Sequence, residues 1–378
     1  MGINQPRTLT TSLGGKERSV VFEASSKMIS PKYIQIGTRK IGPNFPPFVI
    51  AEIGINHEGS FKKAKQMVFD AYNSGAECVK FQAHVIEDEM IPAAKKIIPG
   101  NAKESIWDIM SNCALSEEED IQLKDYTESL GMIYISTPFS RAAANRLKKM
   151  GVLVYKIGSG ECNNYPLIEH IASFRKPVIL STGMNNLKSI RRSVSILRKN
   201  RIPYALLHCT SIYPTPYEKI RLGAVLELQK AFPDAVVGLS DHSVNNYSCL
   251  GAVSLGASIL ERHFTSSKKW KGPDIAVSMD PDNLKDLIQG SRAIFASLGG
   301  KKTILPEEKP TIDFAYACVV AIKNIRKGER FSRDNIWVKR PGTGEIKAVK
   351  YKSVLGNIAT TDIEGGRQIK FSHIVKSR

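Results

Sequence analysis

The sequence predicts an α/β fold, a (β/α)8 TIM barrel followed by a smaller domain. Strand-like and helix-like segments alternate eight times between residues 48 and 300. The strand-like segments are apolar along their whole length, which is typical of parallel strands buried on both faces. Eight strand–helix units in about 250 residues match the size of such a barrel. An open doubly wound sheet is the alternative, but no glycine-rich phosphate-binding turn follows the first strand.

The predicted strands and helices follow one another in strict order. The strands cover residues 48–54, 77–83, 132–137, 152–158, 177–182, 204–210, 235–241 and 258–264. The helices show apolar residues at helical spacing and cover residues 60–75, 116–131, 141–151, 165–174, 186–200, 222–232, 245–257 and 282–300. Local signals indicate several ends: Ser60 and Ser116 are N-caps, Glu119 completes a capping box, and Gly75 and Gly131 close helices.

The residues outside the eight strand–helix units set the other predicted domain boundaries. Residues 1–31 carry no periodicity and are expected to be loosely ordered. The barrel domain then covers residues 32–300, beginning with a hairpin that closes the bottom of the barrel. Residues 301–313 are charged, contain two prolines and are interpreted as a linker. Short strands with glycine turns predict a small β domain over residues 314–378.

Composition excludes several classes of protein. The 378 residues have a hydrophobic fraction of 42% and contain neither a bilayer-spanning apolar run nor a signal peptide. Six scattered cysteines without a C-x-x-C pair indicate reduced thiols and a cytoplasmic protein. The net charge is +18, and residues 301–378 hold half of it, with 17 basic and 8 acidic residues. No nucleic-acid-binding motif accompanies this charge, so a small anionic substrate or solubility explains it better.

Two lysines interrupt apolar strands, Lys80 in "CVKFQ" and Lys156 in "VYKIG". Chemistry in a (β/α)8 barrel takes place at the carboxyl ends of the strands, where these residues fall. A salt bridge to Glu52 or Glu161 is one explanation of each lysine. Together with hydroxyl side chains at neighbouring strand ends, the pair instead predicts a cradle for a phosphate or carboxylate. Those hydroxyls belong to Thr137, Ser159, Ser181 and Ser240.

His242 and His263 end the seventh and eighth predicted strands. A single strand histidine is usually a packed residue, but two at equivalent ends of adjacent strands favour a divalent metal site. Two imidazoles leave coordination positions open for water and a substrate oxygen, as at a Lewis-acid site. Mn, Fe, Co and Zn all remain compatible with this ligand set.

The residues in this order closely resemble the sialic acid synthase (N-acetylneuraminate synthase) family. The resemblance runs from about residue 33 to the C-terminus. It is carried by "AEIGINHEG" (51–59), "AECVKFQ" (76–82), "ISTPFSRAA" (135–143), "YKIGSGECNNYPL" (155–167), "ILSTGMN" (179–185), "LLHCTSIYPTP" (206–216), "GLSDHS" (238–243), "LERHFT" (260–265) and "WVKRPGTG" (337–344). It implies that the tail is an antifreeze-like (SAF, β-clip) domain, which caps the partner's barrel in a domain-swapped homodimer.

The resemblance also implies roles for individual residues. His242 and His263 would hold the metal, most often Mn2+, with Gln82 nearby. Phosphoenolpyruvate would be bound by Lys80, Thr137, Lys156, Ser159, Ser181 and Ser240. The amino sugar would contact Glu52, Ser211, Tyr213, Asp274 and Arg340, the last from the small domain. The catalytic residues would be Glu52, Glu161 and Lys156, and either glutamate would serve as the base.

The reaction implied is condensation of phosphoenolpyruvate with open-chain N-acetylmannosamine and water, giving N-acetylneuraminate and phosphate by C–O cleavage. The alternative is a legionaminic or pseudaminic acid synthase that takes a 2,4-diacetamido-trideoxyhexose. Ser211 stands where relatives that use N-acetylmannosamine are expected to have Asn, which leaves the sugar open. Two further alternatives are an aldolase with a Schiff base on Lys156 and a carbohydrate- or ice-binding protein built around the tail.

Overall fold

A computed structural model of the protein describes residues 33–100 and 102–377. The chain divides into two compact units, with the boundary between Leu298 and Gly299. The expectation of a loosely ordered leader falls on residues 1–31, outside the described residues. Within the described part of the chain, no helix has the length and apolar character needed to cross a membrane. All six cysteines are buried and free.

The first unit is built on a short hairpin and an eight-stranded parallel sheet. The hairpin consists of β1 (Ile34–Ile36) and β2 (Arg39–Ile41). The sheet strands are β3 (Phe48–Gly54), β4 (Cys78–Ala83), β5 (Ile133–Pro138), β6 (Tyr155–Ile157), β7 (Val178–Ser181), β8 (Tyr204–Cys209), β9 (Val236–Asp241) and β10 (Ile259–His263). Their order is β5-β4-β3-β10-β9-β8-β7-β6, and the outer strands β5 and β6 lie side by side. The predicted barrel is therefore confirmed, as a near-closed ring of parallel strands.

Helices surround this ring. They are α1 (Phe61–Asn73), α2 (Ile86–Glu89), α3 (Ile106–Cys113), α4 (Glu117–Ser129), α5 (Arg141–Lys149), α6 (Tyr165–Ala172), α7 (Leu187–Lys199), α8 (Gly223–Ala231), α9 (Tyr247–Ser254) and α10 (Pro281–Ser297). The Ser60 hydroxyl accepts from the Lys63 amide, and Ser116 and Glu119 form the predicted capping box. The sequence did not predict α2 and α3, which lie in the insertion between β4 and α4.

The hairpin closes one end of the barrel. Its buried residues Ile34, Ile36 and Ile41 pack in one cluster with residues near the starts of the barrel strands, among them Phe48 and Val154. A larger apolar cluster joins the outward faces of the strands to the helices. With its amino end filled by apolar side chains, the barrel leaves polar residues grouped at the carboxyl end.

The second unit is a small β domain. Its strands are β11 (Cys318–Ala321), β12 (Ile336–Lys339), β13 (Ile358–Ala359) and β14 (Ile374–Val375), and its helices are α11 (Lys309–Ala315) and α12 (Tyr351–Val354). Val319, Ile336, Ile346 and Ile369 belong to its fully buried core. The segment 301–313, interpreted from sequence as a linker, lies within this unit and enters α11. Its two prolines lie in the first turns of helical segments, where proline is well tolerated because the first amides need no intrahelical partner.

Candidate active site

One cavity of about 400 Å³ opens at the carboxyl ends of the barrel strands. Thirteen of the residues selected from the sequence line it. They are Glu52, Lys80, Gln82, Thr137, Lys156, Ser159, Ser181, Ser211, Tyr213, Ser240, His242, His263 and Asp274. Glu161 is not in its wall, and Arg340 belongs to the second unit. The barrel thus brings together side chains from all eight strands or the loops that follow them.

The floor of the cavity carries the two lysines. The Lys80 Nζ lies 2.8 Å from Glu52 Oε2 and donates to Thr137 Oγ1 at 3.3 Å. The Lys156 Nζ donates to Ser181 Oγ at 2.7 Å and to the Ile157 carbonyl at 3.3 Å. Lys80 and Lys156 are only 4% and 2% exposed, so each needs negative charge or acceptors nearby.

A further carboxylate, Glu261 in β10, supplies part of that charge, and sequence reasoning did not select it. Its Oε1 lies 3.7 Å from Lys80 Nζ and 3.5 Å from Lys156 Nζ, and it accepts from the Ser240 hydroxyl at 3.0 Å. One sequence signal was available: Glu261 precedes His263 by two residues. In a strand, residues at that spacing face the same side.

Burial sets the protonation of this cluster. It raises the pKa of Glu52 to about 7, against the lowering effect of Lys80. It also lowers the pKa of Lys156, more than Glu261 raises it. For Lys80, burial lowers the pKa, but Glu261 and Glu52 outweigh it and the net shift is upward. Lys80 therefore keeps its proton more firmly than Lys156 does, and Glu52 can exchange a proton near neutral pH.

The two histidines lie together at the cavity wall, with ring centroids 5.4 Å apart. The His242 Nδ1 donates to the Thr210 carbonyl at 3.1 Å, so in the neutral ring Nε2 is the nitrogen with a free lone pair. Burial holds the pKa of His263 well below its usual value, and its buried Nδ1 has no hydrogen-bond partner. Asp274 Oδ2 lies 3.9 Å from that nitrogen, beyond hydrogen-bond distance.

The upper part of the cavity is less polar. The Tyr213 ring lies 4.1 Å from the His242 ring, and Ser211 Oγ lies 3.9 Å from Cys209 Sγ. Burial raises the pKa of Asp274 to about 6. Apolar side chains of α3 and the segment before it complete this wall. They belong to Pro99, Ala102, Ile106, Ile109 and Met110.

Glu161 lies next to the cavity. A Cβ atom placed on Gly158, which does line the cavity, would be 3.2 Å from Glu161 Oε2. Burial raises the pKa of Glu161 to about 7, and the charge of Glu89 adds to that increase. Its buried Oε2 has no hydrogen-bond partner. Of the two glutamates that the sequence left as possible bases, Glu52 lines the cavity and Glu161 does not.

Comparison with known proteins identifies the family. The sequence profile of the NeuB family matches residues 67–303, which is more than half of the chain. The chain belongs to the NeuB family. A second profile, that of the SAF domain, matches residues 316–375, so the predicted antifreeze-like domain is confirmed. This NeuB-family protein is therefore an enzyme, a phosphoenolpyruvate-condensing synthase acting on small molecules.

Alignments with individual relatives span most of this chain. The N,N'-diacetyllegionaminic acid synthase of Campylobacter jejuni is 37% identical over 332 residues, spanning 85% of this chain and 98% of the relative. The human N-acetylneuraminate-9-phosphate synthase is 33% identical over 307 residues, spanning 80% and 85%. A crystal structure of the N-acetylneuraminic acid (sialic acid) synthetase of Leptospira borgpetersenii gives a TM-score of 0.68 at 32% identity, covering 75% of this chain and 95% of that one.

Enzymes of the NeuB family are in general metal-dependent. Among residues 33–100 and 102–377, no three His, Cys, Asp or Glu side chains are grouped as a ready-made metal site. The cavity nevertheless fits a divalent ion with an open coordination sphere. Neutral His263 has a buried nitrogen without a partner, and His242 presents the lone pair of Nε2 beside it. Two imidazole ligands leave coordination positions open for water and substrate oxygens, as a Lewis-acid centre requires.

Proposed function

We propose that this enzyme joins phosphoenolpyruvate to the open-chain aldehyde of an N-acetylated amino hexose, with consumption of water and release of phosphate. The observation that carries the proposal is the buried group of Lys80, Lys156, Glu52 and Glu261 beside the histidine pair. Two ammonium groups at the end of a barrel suit a substrate that bears both a phosphate and a carboxylate. The hydroxyls of Thr137, Ser159, Ser181 and Ser240 add neutral donors around them.

The reaction requires one new carbon–carbon bond and the loss of one carbon–oxygen bond. C3 of phosphoenolpyruvate attacks the aldehyde carbon, and the aldehyde oxygen takes up a proton to become a hydroxyl. Water adds at C2 and loses a proton. The bond from C2 to the phosphate oxygen then breaks as the new C2 hydroxyl becomes the ketone, and its proton leaves with phosphate. Lys80 and Lys156 hold the phosphoenolpyruvate in place and stabilise its charge. Glu52, whose pKa burial raises to about 7, takes the proton from water. His242 and His263 would hold a divalent ion, with Mn2+ the first candidate, and when bound it would supply Lewis-acid polarisation of the aldehyde oxygen.

The apolar upper wall supports a particular acceptor. Ile106, Ile109 and Met110 provide a surface for methyl groups rather than for hydroxyl groups. A 2,4-diacetamido-2,4,6-trideoxyhexose has a methyl group at C6 and an extra acetyl methyl at C4, whereas N-acetylmannosamine has hydroxyls there. The short Ser211 side chain and the legionaminic acid synthase relatives support the same choice. N-acetylmannosamine, the first expectation from sequence, is the second candidate because of the human relative.

A panel of acceptors tests both the reaction and the sugar. Phosphate release from phosphoenolpyruvate is measured with the diacetamido sugar, with N-acetylmannosamine and with its 6-phosphate. We expect the diacetamido sugar to have the highest kcat/KM, by about 10-fold or more, since one or two buried methyl groups are worth about 1–3 kcal/mol. Preference for N-acetylmannosamine would overturn the assignment of the sugar. Phosphate release with none of the acceptors would overturn the reaction.

A separate trapping experiment tests the Schiff-base aldolase. A stable adduct on Lys156 after treatment with pyruvate and borohydride would favour that alternative.

We also propose that the enzyme acts as a domain-swapped homodimer in which Arg340 reaches the acyl group of the sugar in the partner's barrel. The side chain of Arg340 is exposed and follows β12 in the second unit. The buried, unpaired thiols are consistent with action in the reducing cytoplasm.

Subunit mixing tests this arrangement. The variants Lys156→Met and Arg340→Ala are each expected to be nearly inactive. After mixed refolding in equal amounts, about a quarter of wild-type activity should return, because half of the dimers are mixed and one of their two sites is intact. A mixture as inactive as its components would refute the swapped assembly. A mixture of Lys156→Met with Lys80→Met serves as the control and should stay inactive, since both changes lie in the barrel.

A further inference from the structure

The segment "HVIEDEM" (84–90), which follows β4 and contains α2, has no role in the proposed reaction. Its first residue, His84, is 4% exposed although it carries two polar nitrogens. The His84 Nδ1 lies 2.8 Å from Glu89 Oε2, and the His84 Nε2 lies 3.1 Å from Gln82 Oε1. Its ring stacks on Phe139, which lines the cavity, at 4.8 Å and 10°.

The chemistry of the partners fixes the direction of these hydrogen bonds. Gln82 Nε2 lies 3.4 Å from Glu52 Oε1, and in the ionised form of Glu52, the form that takes up the proton, this oxygen can only accept. The amide nitrogen of Gln82 must therefore face Glu52, and its oxygen must face His84. The Nε2 of His84 then donates to Gln82, and its Nδ1 lies within hydrogen-bond distance of the Glu89 carboxylate. Glu89, His84, Gln82 and Glu52 form one continuous chain that leads into the cavity.

Neighbouring contacts keep this chain in place. Asp88 Oδ2 accepts from the Ala142 amide at 2.6 Å, which ties α2 to the start of α5. The stacked Phe139 ring restrains rotation of His84 about its side chain. An unrestrained glutamine could turn its amide oxygen towards Glu52. Two acceptor oxygens would then face each other, and the hydrogen bond that holds the Glu52 carboxylate in place would be lost.

We propose that His84, oriented by Glu89, is a positioning residue that holds the Gln82 amide against Glu52. This inference rests on the proposed function, in which Glu52 takes the proton from water. His84 touches neither substrate. It acts through Gln82. Removing the outer hydrogen-bond partner of a metal ligand typically costs about 10- to 100-fold, and by analogy we expect a loss of that order here.

Two amide variants separate hydrogen bonding from packing. In His84→Gln the amide nitrogen can take the position of Nε2 and still donate to Gln82. In His84→Asn it can take the position of Nδ1, so the contact with Glu89 is kept and the one with Gln82 is lost. Both variants remove the ring stacked on Phe139. We expect His84→Asn to lose about 10- to 100-fold in kcat with the KM for phosphoenolpyruvate within about 2-fold, and His84→Gln to stay within about 3-fold of wild type. Equal losses in the two variants, or wild-type kcat in His84→Asn, would overturn the inference.

A double-mutant cycle checks that His84 acts through Gln82. In a Gln82→Met background, His84→Asn should cost no further activity, because its target is already absent. An undiminished loss in that background counts against the inference. Glu89→Ala should lower kcat, whereas Glu87→Ala, an exposed position on the same helix, is the control and should not.

Crystal structures of the variants distinguish failure of this inference from failure of the proposed function. The Gln82 amide should turn away from Glu52 in His84→Asn and keep its place in His84→Gln. If the wild type released no phosphate with any acceptor, the reaction would be wrong, and these structures would still decide the role of His84. A Gln82 side chain that neither moves nor flips its amide in His84→Asn, with the flip read from neutron diffraction, would refute it.

Discussion

Replacing Glu261 by glutamine is expected to lower the free energy of unfolding by about 3–5 kcal/mol, the usual cost of removing one partner from a buried ion pair. The Glu261 carboxylate faces both Lys80 and Lys156 at less than 4 Å, and all three side chains are buried. Glutamine keeps the shape and an acceptor for Ser240 but removes the charge. Two ammonium groups would then share Glu52 alone. Chemical denaturation of the two proteins measures the difference.

Phosphoenolpyruvate should partly reverse this loss of stability. A ligand with several negative charges replaces the missing carboxylate, so saturating phosphoenolpyruvate should raise the Tm of Glu261→Gln more than that of the wild type. The control is Glu128→Gln, which breaks an exposed helix pair with Lys124 that is worth less than about 1 kcal/mol. Equal stability of Glu261→Gln and Glu128→Gln would mean that the lysines do not depend on Glu261.

Replacing His242 or His263 by alanine is expected to reduce metal-dependent turnover about 1000-fold or more, while the barrel stays folded. Polarisation of the aldehyde by a bound ion is worth several kcal/mol, and with only one imidazole left the ion should no longer be held. Treatment of the wild type with a chelator should produce a comparable loss, which added Mn2+ should restore. Phosphate release and titration calorimetry with Mn2+ measure activity and binding separately.

His170→Ala is the matched control for these variants. His170 lies on α6, where its Nε2 contacts Asn145, away from the cavity. This change should alter neither Mn2+ binding nor turnover. Full activity in chelator-treated His242→Ala protein would contradict a role for metal in the reaction.

Sequence periodicity was sufficient to predict the barrel, because its strands are largely apolar and several of its helices begin at a capping side chain. The bounds of β3 agree fully, and most other bounds differ by one or two residues. β6 differs more: residues 152–158 were predicted, but only Tyr155–Ile157 form the strand. It pairs with β7 on one side. An apolar residue such as Val154 is buried there without belonging to a hydrogen-bonded ladder.

The site was harder to predict where it depends on ion pairs and hydrogen bonds between side chains from different strands and loops. Lys80 and Lys156 stood out because each interrupts an apolar strand. Glu261 was passed over because its neighbours Arg262 and His263 are also polar, and periodicity alone does not reveal that it faces two lysines. The roles of Glu89 and His84 depend on a loop conformation that no repeat specifies. The raised pKa of Glu52 is likewise a consequence of burial, and the burial of a side chain is known only from the folded structure.

The isoleucine-filled hairpin at the base of the barrel has a kinetic consequence. Among the described residues, the lysines lie deep, and Tyr213 and Met184 line the same cavity with 37% and 74% of their surfaces exposed. Because the hairpin closes the other end of the barrel, both substrates must enter through the open end of the cavity. A molecule bound near that opening would block access to the lysines, so substrate binding should be ordered. The anion should therefore enter first and the sugar second, and occupancy by the sugar alone should be a dead end that excess acceptor makes visible as inhibition.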